Sequence, residues 1–523
     1  MSRVKNGADT KAGAPAATGA AVRLGGESLT LEDIRSIAAG GTATLADGVA
    51  ARVRPSRELI ERAARGDAPV YGVNTGFGAL KSVRISAEDV DKLQVNLVRS
   101  HAAGAGPELE PGAVRLMLAL RAHSLAQGAS GVREELLRHL VAMLERDLLP
   151  VIPSKGSLGA SGDLIPLAHL ALAVIGEGEI RRAGRAAPAA EHYRGAGLPP
   201  FRLTTKEGLA LINGTQAATA VGLLAILESL EVLRAAHAAC ALSVEAIRGS
   251  ARPFDARVQA VRPHEGQIES AAAIRALLEG SGILASHEGC GKVQDPYSFR
   301  CAPQVLGASI EAVRYARRAL LTEVNSVTDN PLCFADSGEV VSAGNFHGQP
   351  VAMALDFLAI GMAEVGSIAE RRTFLLLDSE KSGLPPFLCK GAGLGSGLMM
   401  VQYLQAALVS ENRMLAHPAC TDTVPTSAGQ EDHVSMAMHA AVKALALVRN
   451  VRRIVAAELL CAAQGLEFLR PLRSSERLEA LHRGVRERVP ELTEDRRQDV
   501  DLAALDQWIE TGGAAGAARA TEF

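Results

Sequence analysis

Apolar residues recur at helical spacing over five long stretches in the second half of the chain, about 216–248, 304–326, 352–378, 398–416 and 432–469. Several run past 20 residues, well beyond the common helix length of about 11–12. Helices that long bury their apolar stripes against one another, which predicts a bundle of long, roughly antiparallel helices. The first half is less regular. Residues 28–80 mix short helical patterns with candidate strands. A helix is predicted over 86–105, with Ser86 as its N-cap and Glu88 in its first turn. Residues 111–150 are apolar and periodic with a break at 127–131. Residues 151–166 form a Gly-, Pro- and Ser-rich loop with almost no charge, and 185–203 a polar excursion. Strands are confined to small hairpins such as one near 332–341, with no doubly wound rhythm and no internal repeat. The expectation is an all-α fold with a smaller mixed N-terminal part: a disordered tail over 1–24, an N-terminal domain over 25–215, a long helical bundle over 216–500 and a C-terminal tail over 501–523.

The chain has 523 residues, 48% hydrophobic and 22% charged, with a net charge of −3. These are values of an ordinary globular protein and exclude wholesale disorder. No basic surplus is available to neutralise phosphates, so nucleic acid is not an expected partner. Seven Cys without CxxC spacing argue against a disulfide framework or a structural zinc site and fit a reducing cytoplasm. The N-terminus lacks the apolar core of a signal peptide. The longest uncharged apolar stretch, 209–227, holds Asn213-Gly-Thr-Gln216 in a row. Those residues would be costly in lipid, so the stretch reads as a buried segment carrying a site, not a membrane span.

The most unusual element is Gly156-Ser-Leu-Gly-Ala-Ser-Gly-Asp163. In an Ala-Ser-Gly triplet, the Gly nitrogen pressed against the Ala carbonyl can close a five-membered ring. Loss of two waters turns Ser into an exocyclic methylene, giving 4-methylidene-imidazol-5-one, a strong electrophile. Gly162 at the attacking position permits close backbone approach, Ala160 adds little bulk, and Gly156 and Gly159 let the loop bend. The triplet alone is a weak signal, because Ala129-Ser130-Gly131 is a second copy. There Gly128 reads as the end of one helix and Ser130 or Gly131 as the start of the next, with Glu134 and Glu135 in its first turn. A capping loop with Asp163 in the first turn is also open for Ser161.

The wider sequence resembles the aromatic amino acid ammonia-lyases and related 2,3-aminomutases. Gly156 to His169 is similar to their signature. Tyr71-Gly-Val-Asn-Thr-Gly-Phe-Gly78, Asn96-Leu-Val-Arg-Ser-His-Ala-Ala-Gly104, Leu211-Ile-Asn-Gly-Thr-Gln216, Lys292-Val-Gln-Asp-Pro-Tyr-Ser-Phe-Arg-Cys301, Asp329-Asn-Pro331, Gly344-Asn-Phe-His-Gly-Gln-Pro350 and Gln430-Glu-Asp-His-Val-Ser435 follow in the family's order. The resemblance covers about 26–500. It implies an all-α homotetramer with active sites shared between chains, the ring formed from Ala160, Ser161 and Gly162, and no metal or external organic cofactor. The chemistry demands such parts. An electrophile that captures the α-amine makes it a better leaving group, a base must reach the β-carbon, and developing negative charge needs donors.

By the same resemblance Tyr71 matches the catalytic base. Its phenol, with an ordinary pKa near 10, needs helix N-termini or cations to favour the phenolate. Arg300 matches the group that grips the substrate carboxylate. Asn213 and Gln294 match polar groups around the ring carbonyl and substrate, Tyr297 a second phenol, and Phe346 an aromatic wall. Asp163 either supports ring closure or caps the following helix. For specificity, Ser100-His101 is similar to histidine enzymes but also to some tyrosine aminomutases. Gln430-Glu431 is similar to histidine enzymes, where phenylalanine and tyrosine enzymes show Gln-Asp. A carboxylate there would hold an imidazole. Gly429 departs from the usual Asn. The implied activity is conversion of L-histidine to trans-urocanate, with a tyrosine or phenylalanine ammonia-lyase or an aminomutase as the alternative. Gly391-Ala-Gly-Leu-Gly-Ser-Gly397 is set aside as a nucleotide loop because Ser396 replaces the third Gly. His347, His433 and Glu431 lack the spacing of a helical zinc site.

Overall fold

The computed structural model describes residues 20–289 and 291–523. The expected tail over 1–24 lies mostly outside these residues, as does Cys290. Its last part is ordered: Val22–Leu24 forms a strand paired in parallel with Ala43–Leu45, because Val22 and Leu24 both turn inward onto the core.

The five periodic stretches are helices, Gln216–Ala246, Ala302–Val324, Gln349–Leu377, Met399–Leu415 and Ala437–Glu467. Contacts along them give their directions. Gly222 packs on Leu320 and Ser309 bonds the Gly361 carbonyl, so 302–324 runs opposite to its two neighbours. Gln405 reaches the Ile454 carbonyl and Lys443 the Leu415 carbonyl, so 399–415 and 437–467 are also opposed. Arg449 pairs with Glu228, Ser243 bonds Glu458, and a fully buried Arg372 pairs with Glu458. Helices that alternate in chain order therefore leave the three longest parallel, with all three N-termini at one end. The 209–227 stretch is two buried helices, Glu207–Ile212 and the start of 216–246, broken at Asn213. Among the described residues two helices, Gln216–Ala246 and Gln349–Leu377, are long and apolar enough to cross a membrane, and both are largely buried within this bundle.

Three expectations are corrected. The helix predicted over 86–105 is Val90–His101: Ser86 donates its hydroxyl to Asp89 at 2.9 Å and closes a turn instead of capping, while Ala105–Glu108 pairs with Pro153–Lys155 as a strand. The helix after the first triplet starts at Glu134 with Arg133 as its N-cap, so neither Ser130 nor Gly131 opens it. At the C-terminus, Gln498–Glu510 is a helix, because Leu505, Trp508 and Ile509 form an apolar face buried in the main core. The hairpin is present as Leu332–Phe334 against Glu339–Val341.

Candidate active site

The Ala160-Ser161-Gly162 loop lies where helix N-termini converge. The helix Leu164–Val174 begins directly after it. The Asp163 N–H donates to the Gly214 carbonyl at 2.7 Å, tying the loop to the segment that opens the 216–246 helix. The Met436 N–H donates to the Leu158 carbonyl at 2.9 Å, and a Cβ on Gly348 would meet Ser435 and Ala437. The first turns of the 216–246, 349–377 and 437–467 helices thus surround one loop. Their positive ends favour negative charge developing there.

Local backbone explains the glycines. Gly162 has φ +74°, and a Cβ on it would lie 2.3 Å from the Gly214 carbonyl oxygen. Gly159 has φ +68°, and a Cβ would strike the Ser435 hydroxyl. Gly159 and Gly162 pair in an isolated antiparallel bridge, leaving Ala160 and Ser161 at the tip of a tight turn. Asn213 Nδ2 donates to the Ser161 carbonyl oxygen at 2.9 Å, and Ser161 Oγ donates to Glu431 Oε1 at 2.8 Å. Asp163 sits at the N-cap position of its helix without capping it. Its buried carboxylate accepts from Ser157 Oγ at 3.0 Å and from the Ala218 N–H at 2.7 Å, in the first turn of the neighbouring helix. The capping reading therefore fails for its own helix. Burial pushes the Asp163 pKa up to about 6, opposed by those same donors.

Two adjoining cavities open on Ser161. One, about 510 Å³, is lined by Tyr71, Ala160, Ser161, Asn213, Phe346 and Glu431 among others. The other, about 730 Å³, shares Tyr71, Ser161, Asn213 and Glu431 and adds Ser100 and His101. Tyr71 Oη accepts the Gly78 N–H at 3.3 Å. Burial raises its pKa first, the Gly78 bond opposes this, and the Glu431 carboxylate raises it further. Among the described residues the donor bonded to the phenol is this one backbone N–H, and Lys81 lines the same cavity. Burial lowers the pKa of His101, whose Nδ1 lies 2.9 Å from the Leu97 carbonyl, while Glu431 acts in the opposite sense.

Three expected site residues are not brought here. Gln294 lines a separate cavity with Arg248 and Lys292. Tyr297 is 71% exposed, with the Arg300 guanidinium 4.4 Å from its ring centroid. Other lining residues were not singled out from sequence. Lys81 bonds Gln430 and so ties the Tyr71 loop to the Glu431 loop, and Asn330 faces the smaller cavity. Asn330 and Gln430 stood inside motifs already noticed. Asn96 and Leu97 stood inside such a motif too, and Leu93 shares their helix face with Ser100 and His101, which i,i+3 and i,i+4 spacing could have found. Gly429 has φ +83° and nothing near its Cβ position, so this departure suits the local turn. At Gly391–Gly397 the Ser396 and Gly397 N–H groups both point at Asp495, so the chain's own carboxylate takes the place of an anion. Among the described residues no group of three His, Cys, Asp or Glu could hold a metal.

A helical bundle whose longest helices point their N-termini at a Gly-flanked Ala-Ser-Gly turn, beside a phenol and a carboxylate, defines the class. Residues 29–487 match the aromatic amino acid lyase family, and the chain belongs to it. It is 52% identical over 499 residues to the histidine ammonia-lyase of Anaeromyxobacter dehalogenans strain 2CP-C, covering 94% of this chain and 98% of that protein. It is 53% identical over 464 residues to the histidine ammonia-lyase of Rhodospirillum rubrum, covering 88% and 90%. Among solved structures it is similar to histidine ammonia-lyase from Trypanosoma cruzi, with TM-score 0.89 and 41% identity over 96% of this chain and 95% of that one. Tyrosine aminomutase from Streptomyces globisporus gives TM-score 0.91 and 38% identity over 96% and 99%.

Proposed function

We propose that this chain is a histidine ammonia-lyase, converting L-histidine to trans-urocanate and ammonia. The observation that carries the choice of substrate is Glu431, a carboxylate that faces the same cavity as His101 and bonds the Ser161 hydroxyl at 2.8 Å. The curated relatives named above support the same substrate.

The residues present fit a 4-methylidene-imidazol-5-one formed from Ala160, Ser161 and Gly162. Gly162 occupies a position closed to any Cβ, and Asn213 already donates to the Ser161 oxygen that would become the ring carbonyl. When formed, this group supplies the electrophile that makes the amine a leaving group. The chain's own residues do the rest. Glu431 binds the imidazole side chain through a charge-assisted bond. Phe346 walls the smaller cavity. Tyr71 Oη takes the β-proton. Of the two causes that raise the Tyr71 pKa, burial and the Glu431 carboxylate, a hydrogen bond from the imidazole N–H to Glu431 weakens the second and smaller one. Asn213 and the convergent helix N-termini stabilise negative charge near the Ser161 carbonyl.

Gln294, Tyr297 and Arg300 are assigned to the site of a neighbouring copy in a homotetramer. Arg300 Nε is buried without a partner, and Met353, Phe357, Ile360, Phe374 and Tyr403 are exposed on the 349–377 and 399–415 helices. Such exposed apolar faces are covered by association. An absorbance assay of purified protein against histidine, phenylalanine and tyrosine tests the substrate, since urocanate, cinnamate and coumarate absorb at different wavelengths. Histidine turnover at least about 100-fold above the others is expected from one charge-assisted bond gained and one desolvation penalty avoided. A preference for tyrosine would replace this reading with the tyrosine one, with His101 bonding the phenol.

A further inference from the structure

Behind the Asn213–Gln216 segment lies a guanidinium that the mechanism above leaves unused. Arg121, on the helix Pro111–Leu125, is fully buried. Its Nη1 donates to the Asn213 carbonyl oxygen at 3.2 Å, to Gln216 Oε1 at 2.8 Å and to the Thr328 carbonyl oxygen at 3.1 Å. A Cβ on Gly214 would lie 2.3 Å from that nitrogen, so the segment rests directly on it. Its Nε and Nη2 have no partner. Asp329, the carboxylate that acts on it, is already engaged: Lys206 Nζ donates to both its oxygens at 3.0 and 2.9 Å, and the Asn330 N–H to one of them. The buried Asp163 and the half-buried Glu323 are further acids bonded to this segment.

A cation with unpaired N–H groups is costly to bury. What Arg121 achieves for that cost is specific. It pins three acceptors on the two segments behind the loop, and one of them belongs to Asn213, whose side chain reaches the Ser161 carbonyl. Burial lowers its pKa only to about 10, so it stays cationic at neutral pH.

We propose that Arg121 is a positioning residue for the Ala160-Ser161-Gly162 electrophile: it holds the Asn213–Gly214 backbone so that the Asn213 amide polarises the Ser161 carbonyl and Gly214 stays packed on Gly162. This rests on the ring-forming reading above. Arg121 touches no substrate in this arrangement. It acts through Asn213 and Gly214, during ring formation and afterwards during turnover.

The test uses full-length Arg121→Met and Arg121→Lys. Intact mass gives the fraction of chains short of two waters, and turnover is expressed per ring-bearing chain, so that losses in folding drop out. Arg121→Met is expected to show a reduced ring-bearing fraction and, in those chains, a kcat lowered about 30-fold with KM within about threefold, the signature of a contact used in the reaction and not in substrate binding. Arg121→Lys, which keeps the charge and reaches part of the acceptor set, is expected to recover about a third or more of the parent kcat. If Arg121→Met gives no soluble protein, Arg121→Lys decides alone, with a fall in kcat of about two- to threefold per ring-bearing chain expected. A full ring-bearing fraction with unchanged kcat in whichever variant decides overturns the proposal, as does a loss confined to thermal stability. A parent protein without the two-water deficit sinks the ring-forming reading itself, which separates the two failures.

Discussion

The chain carries the same three residues twice, and the two copies differ in everything around them. Ala129-Ser130-Gly131 lies in the interior: Ser130 is fully buried, its hydroxyl has no partner, and the Ala129 carbonyl accepts the Cys333 N–H at 2.8 Å. Ala160-Ser161-Gly162 lies at a cavity wall, with Ser161 half-buried between an amide donor and a carboxylate. Both glycines have positive φ, +69° and +74°. Backbone permissiveness is therefore common to both and distinguishes neither. What sets the second copy apart is its setting: donors aimed at the Ser carbonyl, an acceptor for the Ser hydroxyl, and open space on the far side. A reactive triplet is made by its neighbours.

The largest expected effect follows from that contrast. Ser161→Ala should remove the two-water mass deficit and lower turnover by about three orders of magnitude or more, since the covalent route is lost. Ser130→Ala should leave the deficit intact and turnover within about twofold, because the Ser130 hydroxyl makes no hydrogen bond to lose. Intact mass and steady-state kinetics on both variants check this, and an intact deficit in Ser161→Ala would break the comparison.

The glycines sharpen it next. A Cβ on Gly162 meets fixed backbone, the Gly214 oxygen at 2.3 Å, whereas one on Gly131 meets the Ile60 side chain, also at 2.3 Å. The buried, β-branched Ile60 side chain can yield only by shifting its Cγ1 at a cost, while the Gly214 carbonyl is held by the backbone and by the Asp163 N–H. Gly162→Ala is expected to abolish the mass deficit and lower turnover by about 100-fold or more, as an electrophile is lost. Gly131→Ala is expected to keep both and to cost about 1–3 kcal/mol of stability through overpacking and a strained φ, read as a lowered urea midpoint.

Glu431 accepts the Ser161 hydroxyl, whereas the Ser130 hydroxyl has no hydrogen-bond partner among the described residues. Glu431→Gln keeps the shape and removes the charge. Histidine turnover should fall about 10- to 100-fold, the worth of one charge-assisted bond, in chains that still show the mass deficit. Histidine turnover within about threefold of the parent would remove Glu431 as the substrate selector.

How much of this was legible in the chain depended on the range of the interaction. The five long helices followed from apolar periodicity, a local signal, and came out within a few residues of their observed ends. The residues that meet at Ser161 were found through ordered motifs, because Tyr71, Asn213 and Glu431 are distant in sequence and periodicity says nothing about which loops touch. Helix starts were misread where a polar side chain had another use. Ser86 bonds a carboxylate, Ser130 is simply buried, and Asp163 reaches into the neighbouring helix. The convergence of three parallel N-termini, and the buried Arg121 beneath the Asn213 segment, are properties of packing that no spacing in the sequence displays.

The smallest expected effect concerns the residue after each triplet, Val132 in the first copy and Asp163 in the second, both about 1% exposed. An apolar side chain belongs in such a place and a carboxylate does not. Burial lifts the Asp163 pKa from 3.8 to about 6. The sign follows from linkage: between those values the folded chain holds a proton that the unfolded chain has released, so stability falls as pH rises through the window and stays at the lower level above it. The cost at pH 8 is about 2–3 kcal/mol. Asp163→Asn lacks this titration and keeps an oxygen to accept the Ala218 N–H. Its urea midpoint should therefore match the parent near pH 4 and exceed it at pH 8, the nearby Glu323 carboxylate adding to the difference because its charge also raises the Asp163 pKa. A difference that is flat with pH would mean that Asp163 is held as a fully stabilised carboxylate, and that the second triplet carries no more strain beside it than the first carries beside Val132.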